Sequence, residues 1–465
     1  MIYTTTRTEK PAVAAIALLL ALSPFRVLAV DLVSQGANWR YLDDGSNQGS
    51  AWRASNFDDS GWASGNAELG FGESDESTLL TSGHITYYFR HHFNVADPGA
   101  LEGLSLAIKR DDGAAVYVNG TGVIRDNLPD GAIESGTLAQ VAADDGSGFH
   151  SFAIDPSILS SGDNVVAVEV HQHSLASSDI SFDLKLLEVP AALTRGPYLQ
   201  MGTPSSMVVR WRTNSYTTTR LAYGSAPGGL STTLNDGTLK TEHEVLVSGL
   251  SAATKYYYEV GSASTTLAGN DTAHYFNTSP PAGTQRRTRI WVIGDSGACA
   301  ESADGCTEGG LVMNQYLNWV SSNGGNPADL LLILGDNAYT TGTDAQYTTG
   351  LFEVFGDVLR NHVLWPVPGN HEFGASDSPT QSGPYYDAFT LPTAAESGGI
   401  ASGTEAYYSF DFANIHFAAL DSHDTSRLAP ANPDTNICPG DSGGAMYNWL
   451  CNDLAGTSQD WIFTF

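Results

Sequence analysis

The stretch DLLLILGDNAY, residues 329–339, is an apolar run of strand length that ends in glycine, aspartate and tyrosine. Near-continuous apolar runs are typical of strands buried on both faces of a parallel sheet. Similar runs lie on either side of it, RIWVIGDSG at 289–297 and HVLWPVPGNHE at 362–372, and the helical patterns GGLVMNQYLNWVSS and LFEVFGDVLR lie between the runs. This alternation predicts βαβ units and an α/β domain with a largely parallel sheet.

Each of these three predicted strands is followed by side chains that can bind metal: Asp295, then Asp336 and Tyr339, then Asn370 and His371. Open α/β sheets build their sites beyond the carboxyl ends of the strands, so we expect these residues to meet although they are far apart in sequence. A glycine precedes each block's first ligand and is expected to let the backbone turn sharply and leave room for ions.

The residue types indicate a particular kind of site. Carboxylates are hard anionic ligands, an amide oxygen is a weak neutral ligand, and a phenolate binds only a strongly polarising ion. The set therefore suits a dinuclear centre in which one ion is trivalent. Taken singly, each residue is as well explained as a turn, cap or packing residue. Their order and their shared position at strand ends favour the site.

The ordered blocks GDSG, GDNAY and GNHE resemble the first three blocks of the purple acid phosphatases, which are calcineurin-like metallophosphoesterases. The stretch RGPYLQMGTPSSMVVRW resembles the start of their amino-terminal β-sandwich, so the resemblance covers residues 194–465. It implies that Asp295 and Tyr339 bind Fe(III), that Asp336 bridges both ions, and that Asn370 binds a divalent ion (Fe, Zn or Mn). His371 would be a catalytic residue beside the substrate phosphate.

The resemblance also implies three histidine ligands from later blocks, V-x-x-H and G-H-x-H, and neither block follows residue 371. We therefore expect this chain to be a carboxy-terminally truncated fragment. Its final stretch SQDWIFTF, residues 458–465, is predicted to be a buried strand after the helical stretch GAMYNWLCNDLAGT. Expressed alone, the fragment is expected to bind metal weakly and to hydrolyse p-nitrophenyl phosphate negligibly.

Two β-rich units precede the α/β domain. Residues 30–190 contain short alternating strands and regular turns, which predict an all-β sandwich, and they resemble galactose-binding-like jelly-roll domains. Residues 191–282 are predicted to form a fibronectin type III-like sandwich, with Trp211 in its core and Tyr256 in a tyrosine corner. The metallophosphoesterase domain, of the layered αββα type, is expected at residues 288–465.

Residues 1–29 have a positive start, an apolar core and a small-residue end, which predict a signal peptide and a secreted protein, extracellular or periplasmic. An apolar run too short to span a bilayer argues against a membrane anchor, and no later segment is predicted to cross a membrane. In an exported protein, four cysteines favour disulfides, and we expect the pairs 299–306 and 438–451.

Charge excludes some partners. The formal net charge is −30 and only five residues are lysine, so nucleic acid is not expected as a partner. Bound metal would have to supply the positive charge that attracts a phosphorylated substrate. Histidines outside the blocks are predicted to be structural, namely His171 and His173, which could otherwise hold zinc, and His416 and His423.

With these features, the resemblance implies a secreted acid phosphatase that hydrolyses phosphate monoesters by metal-hydroxide attack, and carbohydrate is an expected partner of the first unit. One alternative is a metallophosphoesterase that acts on phosphodiesters or nucleotides. The three blocks do not separate it from a monoesterase, but Tyr339 favours the purple acid phosphatase branch, because most other branches lack a tyrosine three residues after the bridging aspartate. The other alternative is a non-catalytic glycan-binding protein with a degenerate phosphatase domain.

Overall fold

The computed structural model describes residues 30–142, 146–297, 307–423 and 444–465. The predicted signal peptide at 1–29 lies outside these residues, and its cleavage and the export of the protein stay predictions. Among the helices that the structure describes, none combines the length and the apolar character needed to cross a membrane.

The first unit consists of two six-stranded sheets. Its strands are β1 Val30–Val33, β2 Asn38–Leu42, β3 Ala63–Asn66, β4 Leu69–Phe71, β5 Thr78–Leu79, β6 Thr86–Val95, β7 Leu104–Arg110, β8 Gly113–Val118, β9 Thr121–Asp126, β10 His150–Ile154, β11 Gly162–His171 and β12 Ile180–Glu188. One sheet has the order β10-β7-β12-β4-β5, with β1 paired to β12, and the other has the order β3-β2-β6-β11-β8-β9.

The two sheets pack face to face around aromatic side chains. Phe182 of β12 stacks on Phe89 of β6 at 4.0 Å between ring centroids and meets the edge of Trp39 of β2 at 4.9 Å. All three rings belong to one buried cluster. Alternating strands therefore build an all-β double layer, as predicted, whereas the jelly-roll and galactose-binding assignments stay predictions.

The second unit is a six-stranded antiparallel sheet with two very long strands. Its strands are β13 Leu193–Gln200, β14 Ser206–Gly224, β15 Thr232–Ser248, β16 Lys255–Gly261, β17 Thr266–Gly269 and β18 Tyr275–Asn277. Trp211 has no exposed surface, which confirms its predicted place in the core. The hydroxyl of Tyr256 accepts a hydrogen bond from the backbone N–H of Ser251 at 3.0 Å, which is the contact that a tyrosine corner makes.

Within its described residues, the third unit contains two three-stranded sheets and five α-helices. Its elements are β19 Ile290–Ile293, α1 Thr307–Ser322, β20 Leu330–Leu334, α2 Asp344–Tyr347, α3 Glu353–Leu359, β21 Leu364–Val367, α4 Pro384–Ala388, β22 Tyr408–Phe412, β23 Ile415–Ala419, α5 Ala445–Gly456 and β24 Trp461–Thr464, with a π-helical turn at Thr348–Phe352. Strands β19, β20 and β21 are parallel neighbours, which confirms the predicted βαβ arrangement.

Ring contacts give the order of the layers. Trp291 of β19 stacks on Tyr316 of α1 at 3.9 Å, and Trp365 of β21 stacks on Phe410 of β22 at 3.7 Å. On the far side, Trp449 of α5 belongs to a buried cluster with Ala418 of β23. The layers therefore run helix, sheet, sheet, helix, which agrees with the predicted αββα type.

Two burial predictions are wrong. Strand β24 pairs with β23, but its side chains are exposed, from 60% for Trp461 to 46% for Ile462 and Phe463. It is the edge of its sheet in the described part of the chain, so only one neighbour covers it. Strand β19 is likewise an edge strand, and Val292 is 48% exposed rather than buried on both faces.

The second and third units share one hydrophobic cluster and several polar contacts. Tyr198 donates its hydroxyl proton to the carbonyl of Ala388 at 2.7 Å. The guanidinium groups of Arg195 and Arg212 both reach Asp344 Oδ1 of α2, at 3.0 and 2.5 Å. The second unit therefore packs directly against the α/β domain.

Candidate metal centre

The structure brings the three predicted ligand blocks to one edge of the parallel sheet, because β19, β20 and β21 run side by side and end together. Asp295 follows β19, and Asp336 follows β20. Both aspartates have φ of +53°, in the left-handed region that non-glycine residues rarely adopt. Such backbone strain is often found at functional sites.

Tyr339 connects the first two blocks. Its phenol oxygen lies 2.6 Å from Oδ1 of Asp295 and 2.8 Å from Oδ2 of Asp336. Burial raises the pKa of Tyr339 well above its usual range, and the hydrogen bonds to the two carboxylates add to this effect. Three oxygens that can carry negative charge therefore converge around one shared proton. A multivalent cation could take the place of that proton.

The glycine prediction holds for the second and third blocks. A Cβ on Gly369 would lie 2.2 Å from Asp336 Oδ1, and one on Gly335 would lie 2.8 Å from the Cα of Gly369. Only glycine allows the two loops to approach this closely. At Gly294 an added Cβ would only make an ordinary contact at 3.7 Å, so the prediction is wrong for the first block.

Asn370 and His371 lie on the third loop. Asn370 is exposed and lines a cavity together with Asp336. The backbone N–H of His371 donates to Asp336 Oδ1 at 3.1 Å, and its ring lies against Tyr339 with centroids 4.2 Å apart. Nδ1 of His371 is 2.6 Å from the carbonyl oxygen of Thr340, which can only accept, so the proton is on Nδ1. Nε2 is then the nitrogen left for a substrate.

Glu372 organises these loops, and its role was missed by sequence reasoning. Its side chain is fully buried. Oε1 accepts the backbone N–H groups of Asn337 at 2.5 Å and Ala338 at 3.1 Å. Oε2 accepts those of Asp336 at 3.0 Å and Gly369 at 2.6 Å. One carboxylate therefore fastens the second block to the third. The available signal was the acidic residue that ends GNHE.

The prediction that His423 is structural is not tested by the geometry. His423 lines the same cavity as Asp336 and Asn370, a position that its sequence context did not reveal. His416 does fit a structural role, because it is fully buried between Asp411 and Asp453, at 2.8 and 2.7 Å.

Two further sequence predictions concern residues away from the centre. His171 is fully buried, and its Nδ1 lies 3.0 Å from the hydroxyl of Thr86, which suits a structural role. Of the predicted disulfides, Cys299, Cys306 and Cys438 lie outside the described residues, so both pairings stay predictions. Cys451 is buried in α5.

Comparison with known families agrees with this geometry. Residues 195–278 match the family described as purple acid phosphatase, N-terminal domain, and residues 288–464 match calcineurin-like phosphoesterase. Both matches begin after the first unit.

Two plant proteins are similar in sequence to this chain over part of their length. Purple acid phosphatase 15 of Arabidopsis thaliana is 27% identical over 236 residues, which are 46% of this chain and 38% of that protein. Purple acid phosphatase 23 of the same plant is 26% identical over 241 residues, which are 46% of this chain and 44% of that protein. The chain therefore spans about two fifths of the length of the curated relatives it matches.

Among solved structures, that of PhoD has a TM-score of 0.41 at 15% identity, covering 58% of this chain and 61% of that one. The purple acid phosphatase PPD1 from yellow lupin (Lupinus luteus) seeds has a TM-score of 0.40 at 14% identity, covering 85% of this chain and 71% of that one. On the two family matches, the chain is a purple acid phosphatase-like metallophosphoesterase.

Proposed function

We propose that this chain carries the first part of a binuclear metal centre that hydrolyses phosphate monoesters. The observation that carries the proposal is the convergence of Tyr339, Asp295 and Asp336 on one point at the sheet edge, at 2.6 and 2.8 Å. A phenol held between two carboxylates by hydrogen bonds is a suitable ligand set for a hard, highly charged ion.

The residues present fit a pair of ions held by oxygen ligands. Asp295 and Tyr339 would hold a ferric ion, Asp336 would be shared, and Asn370 would contribute a neutral oxygen to a divalent ion (Fe, Zn or Mn). When bound, the two ions would supply Lewis acidity that activates water and offsets the charge of the phosphoryl group. A trivalent ion would favour activity at acid pH, because it acidifies water more strongly.

The protein's own side chains would position the loops and contact the substrate. Glu372 would hold the loops of the second and third blocks at a fixed separation, through its four hydrogen bonds to backbone N–H groups. His371 would face the substrate with Nε2, since Nδ1 is bonded to the carbonyl of Thr340. In that position it can steady the charge on the phosphoryl group or help to protonate the leaving oxygen.

Other parts of the proposal concern the whole protein. The amino-terminal pattern of residues 1–29 supports export, and the two-layered β unit at 30–190 is a suitable platform for carbohydrate binding. A glycan array probed with residues 30–190 tests the second idea. Binding there without any metal uptake by the third unit would favour the glycan-binding alternative.

Only four of the seven ligands implied by the resemblance are present, so metal binding itself has to be measured. Metal uptake is therefore the direct test of the centre. We expect the chain to bind Fe(III) and Zn²⁺ weakly, measured by equilibrium dialysis followed by elemental analysis, and expect Asp336→Asn to bind neither. Asp357→Asn, which changes an aspartate of helix α3 outside the site, is the matched control. Equal uptake by wild type and Asp336→Asn would contradict the proposal.

Turnover distinguishes the substrates. Hydrolysis of p-nitrophenyl phosphate is compared with that of bis(p-nitrophenyl) phosphate, and any activity should disappear in Asp336→Asn. A preference for the diester would favour the alternative substrate class. Robust monoester hydrolysis by residues 30–465 would support the function and contradict the expectation that four ligands are too few.

A further inference from the structure

A cavity of about 450 Å³ lies beside the candidate metal centre. Asp336, Gly369 and Asn370 line one side of it, and Ser422 and His423 line the other. The second side comes from the segment that follows β23, which belongs to the other sheet. The cavity is therefore formed where the ligand loops of one sheet face the strand ends of the other.

Two contacts with described residues hold His423 in place, one through its backbone and one through its ring. Its backbone N–H donates to Oδ1 of Asp421 at 2.9 Å, and its ring stacks on Phe373 with centroids 5.1 Å apart and planes 15° apart. Asp421 is fully buried and accepts a second hydrogen bond, from the hydroxyl of Ser378 at 2.7 Å. Phe373 directly follows the GNHE block, so the imidazole of His423 packs against the third ligand loop.

The ring nitrogens of His423 have no hydrogen-bond partner among the described residues, and the residue is exposed. A ring that is held by stacking and by its backbone, yet has both nitrogens available, is prepared for a ligand. Other histidines of the same domain differ: His362 and His416 use both ring nitrogens in internal hydrogen bonds.

His423 does not form a cluster of potential metal ligands with the two aspartates. In the described parts of the chain, the one set of three or more carboxylate, imidazole or thiol ligands within 4.8 Å of one another is Glu68, Glu73 and Asp75 in the first unit. His423, Asp295 and Asp336 are thus too far apart to form such a set. An imidazole farther out can still reach the oxygens of a phosphate.

Charge gives a reason why a phosphate needs this residue. The chain has a formal net charge of −30, which opposes the approach of an anion. Among the described residues that line the cavity, none is lysine or arginine, and His423 is the one basic side chain. Because His423 lines the cavity, an N–H group of its ring is a natural donor to a phosphoryl oxygen bound there.

We propose that His423 is a substrate-binding residue, which donates a ring N–H to the phosphate group of the ester. This proposal rests on the proposed function, because it takes the cavity beside Asp336 and Asn370 to be the substrate site. His423 and His371 would then contact the phosphate from segments that follow strands of two different sheets.

Binding of inorganic phosphate to the Mn²⁺-loaded chain, measured by isothermal titration calorimetry, tests this role without requiring turnover. We expect His423→Ala to weaken phosphate binding at least about tenfold, as the loss of one hydrogen bond to a charged group predicts. His423→Gln, which keeps an N–H donor, should recover part of the affinity. His92→Ala, which removes an exposed histidine of the first unit, should bind like wild type.

Metal content is measured on the same samples. Unchanged phosphate affinity in His423→Ala overturns the proposal, and so does a parallel loss of Mn²⁺, which would make His423 a metal ligand instead. A wild-type chain that binds Mn²⁺ but no phosphate overturns the substrate role and leaves the metal centre standing. A wild-type chain that binds no metal overturns the proposed function and, with it, this proposal.

Chemical labelling gives an independent measurement that needs no variant. Diethyl pyrocarbonate should modify His423 in the Mn²⁺-loaded wild-type chain, and inorganic phosphate should protect it, as read by peptide mass spectrometry. The exposed His92 should react equally in both conditions. Modification of His423 that phosphate does not change would overturn the proposal.

Discussion

The phenol oxygen of Tyr339 lies 2.6 Å from Oδ1 of Asp295, although the two residues are 44 positions apart in the chain. The contact exists because two parallel strands end at the same sheet edge, and it joins the first two ligand blocks. It also places an ionisable oxygen where a ferric ion would need one. The first prediction follows from this relationship.

Tyr339→Phe should abolish the visible absorption band that a tyrosinate gives when it binds Fe(III). The substitution keeps the ring and its contact with His371 but removes the oxygen that lies between Asp295 and Asp336. The visible spectrum of the iron-loaded protein is the measurement. Tyr407→Phe, a tyrosine packed against Trp449 of α5, should leave the spectrum unchanged. A band of equal intensity in Tyr339→Phe would mean that Tyr339 is not a ligand.

Glu372→Gln should loosen the ligand loops. The amide has one acceptor oxygen in place of two, and its NH₂ group would face backbone N–H donors, so some of the four hydrogen bonds must be lost. A loss of about 2 kcal/mol corresponds to roughly 30-fold faster amide exchange. Hydrogen exchange mass spectrometry of peptides covering residues 335–339 and 369–372 measures it.

Glu353→Gln is the matched control for this change, because Glu353 is an exposed glutamate at the start of α3. It should leave the exchange of both loops unchanged. If the loops of Glu372→Gln also exchange like those of wild type, the carboxylate does not hold them together.

His416 should make the stability of the third unit depend on alkaline pH. Burial lowers the pKa of His416, but the hydrogen bonds and charges of Asp411 and Asp453 outweigh it and raise the pKa from 6.5 to about 9. The charged imidazole therefore stabilises the fold fully below about pH 6.5, and this contribution is lost as the pH rises through about 9. We expect a loss of about 2 kcal/mol between these limits that His416→Gln does not show.

His362→Gln is the control with the opposite sign. Burial lowers the pKa of His362, which keeps its ring neutral, so its contribution is lost as the pH falls below about 6.5. Urea unfolding of wild type and both variants across the pH range separates the two effects. An alkaline loss of stability that is the same in wild type and His416→Gln would assign it to other groups.

Tyr256→Phe should destabilise the second unit by about 1 kcal/mol, because it removes the hydrogen bond from the backbone of Ser251 to the phenol oxygen. Thermal unfolding followed by circular dichroism measures the change. Tyr257→Phe is the control, since no hydrogen bond of its hydroxyl is seen in the described residues and its ring contacts Tyr275. Equal melting temperatures of Tyr256→Phe and wild type would show that the corner contact is not stabilising.

The sequence alone was enough to predict the parallel strands β19, β20 and β21, the helices between them and the residues at their ends. These features depend on local patterns, namely apolar runs, helical periodicity and glycine before a ligand. The buried Trp211 was predictable for the same reason, because it lies on the apolar face of an alternating strand in a sheet predicted to have a core.

Local patterns did not predict how deeply the side chains of each strand are buried. Trp461 and Val292 are as apolar as core residues, yet both lie on edge strands and are exposed. Burial depends on which neighbours pack against a strand, and a run of apolar letters carries no information about neighbours that are distant in the chain.

The tertiary structure alone decided the roles of Glu372 and His423. Glu372 is important because four backbone N–H groups from two loops point at its carboxylate, and His423 because the end of β23 faces the ligand loops across a cavity. The sequence determined which residues can carry the chemistry, since side-chain type and local conformation are written there. The packing of two separate sheets decided which of them meet, because hydrogen bonds and cavities between distant segments exist only once those sheets are in contact.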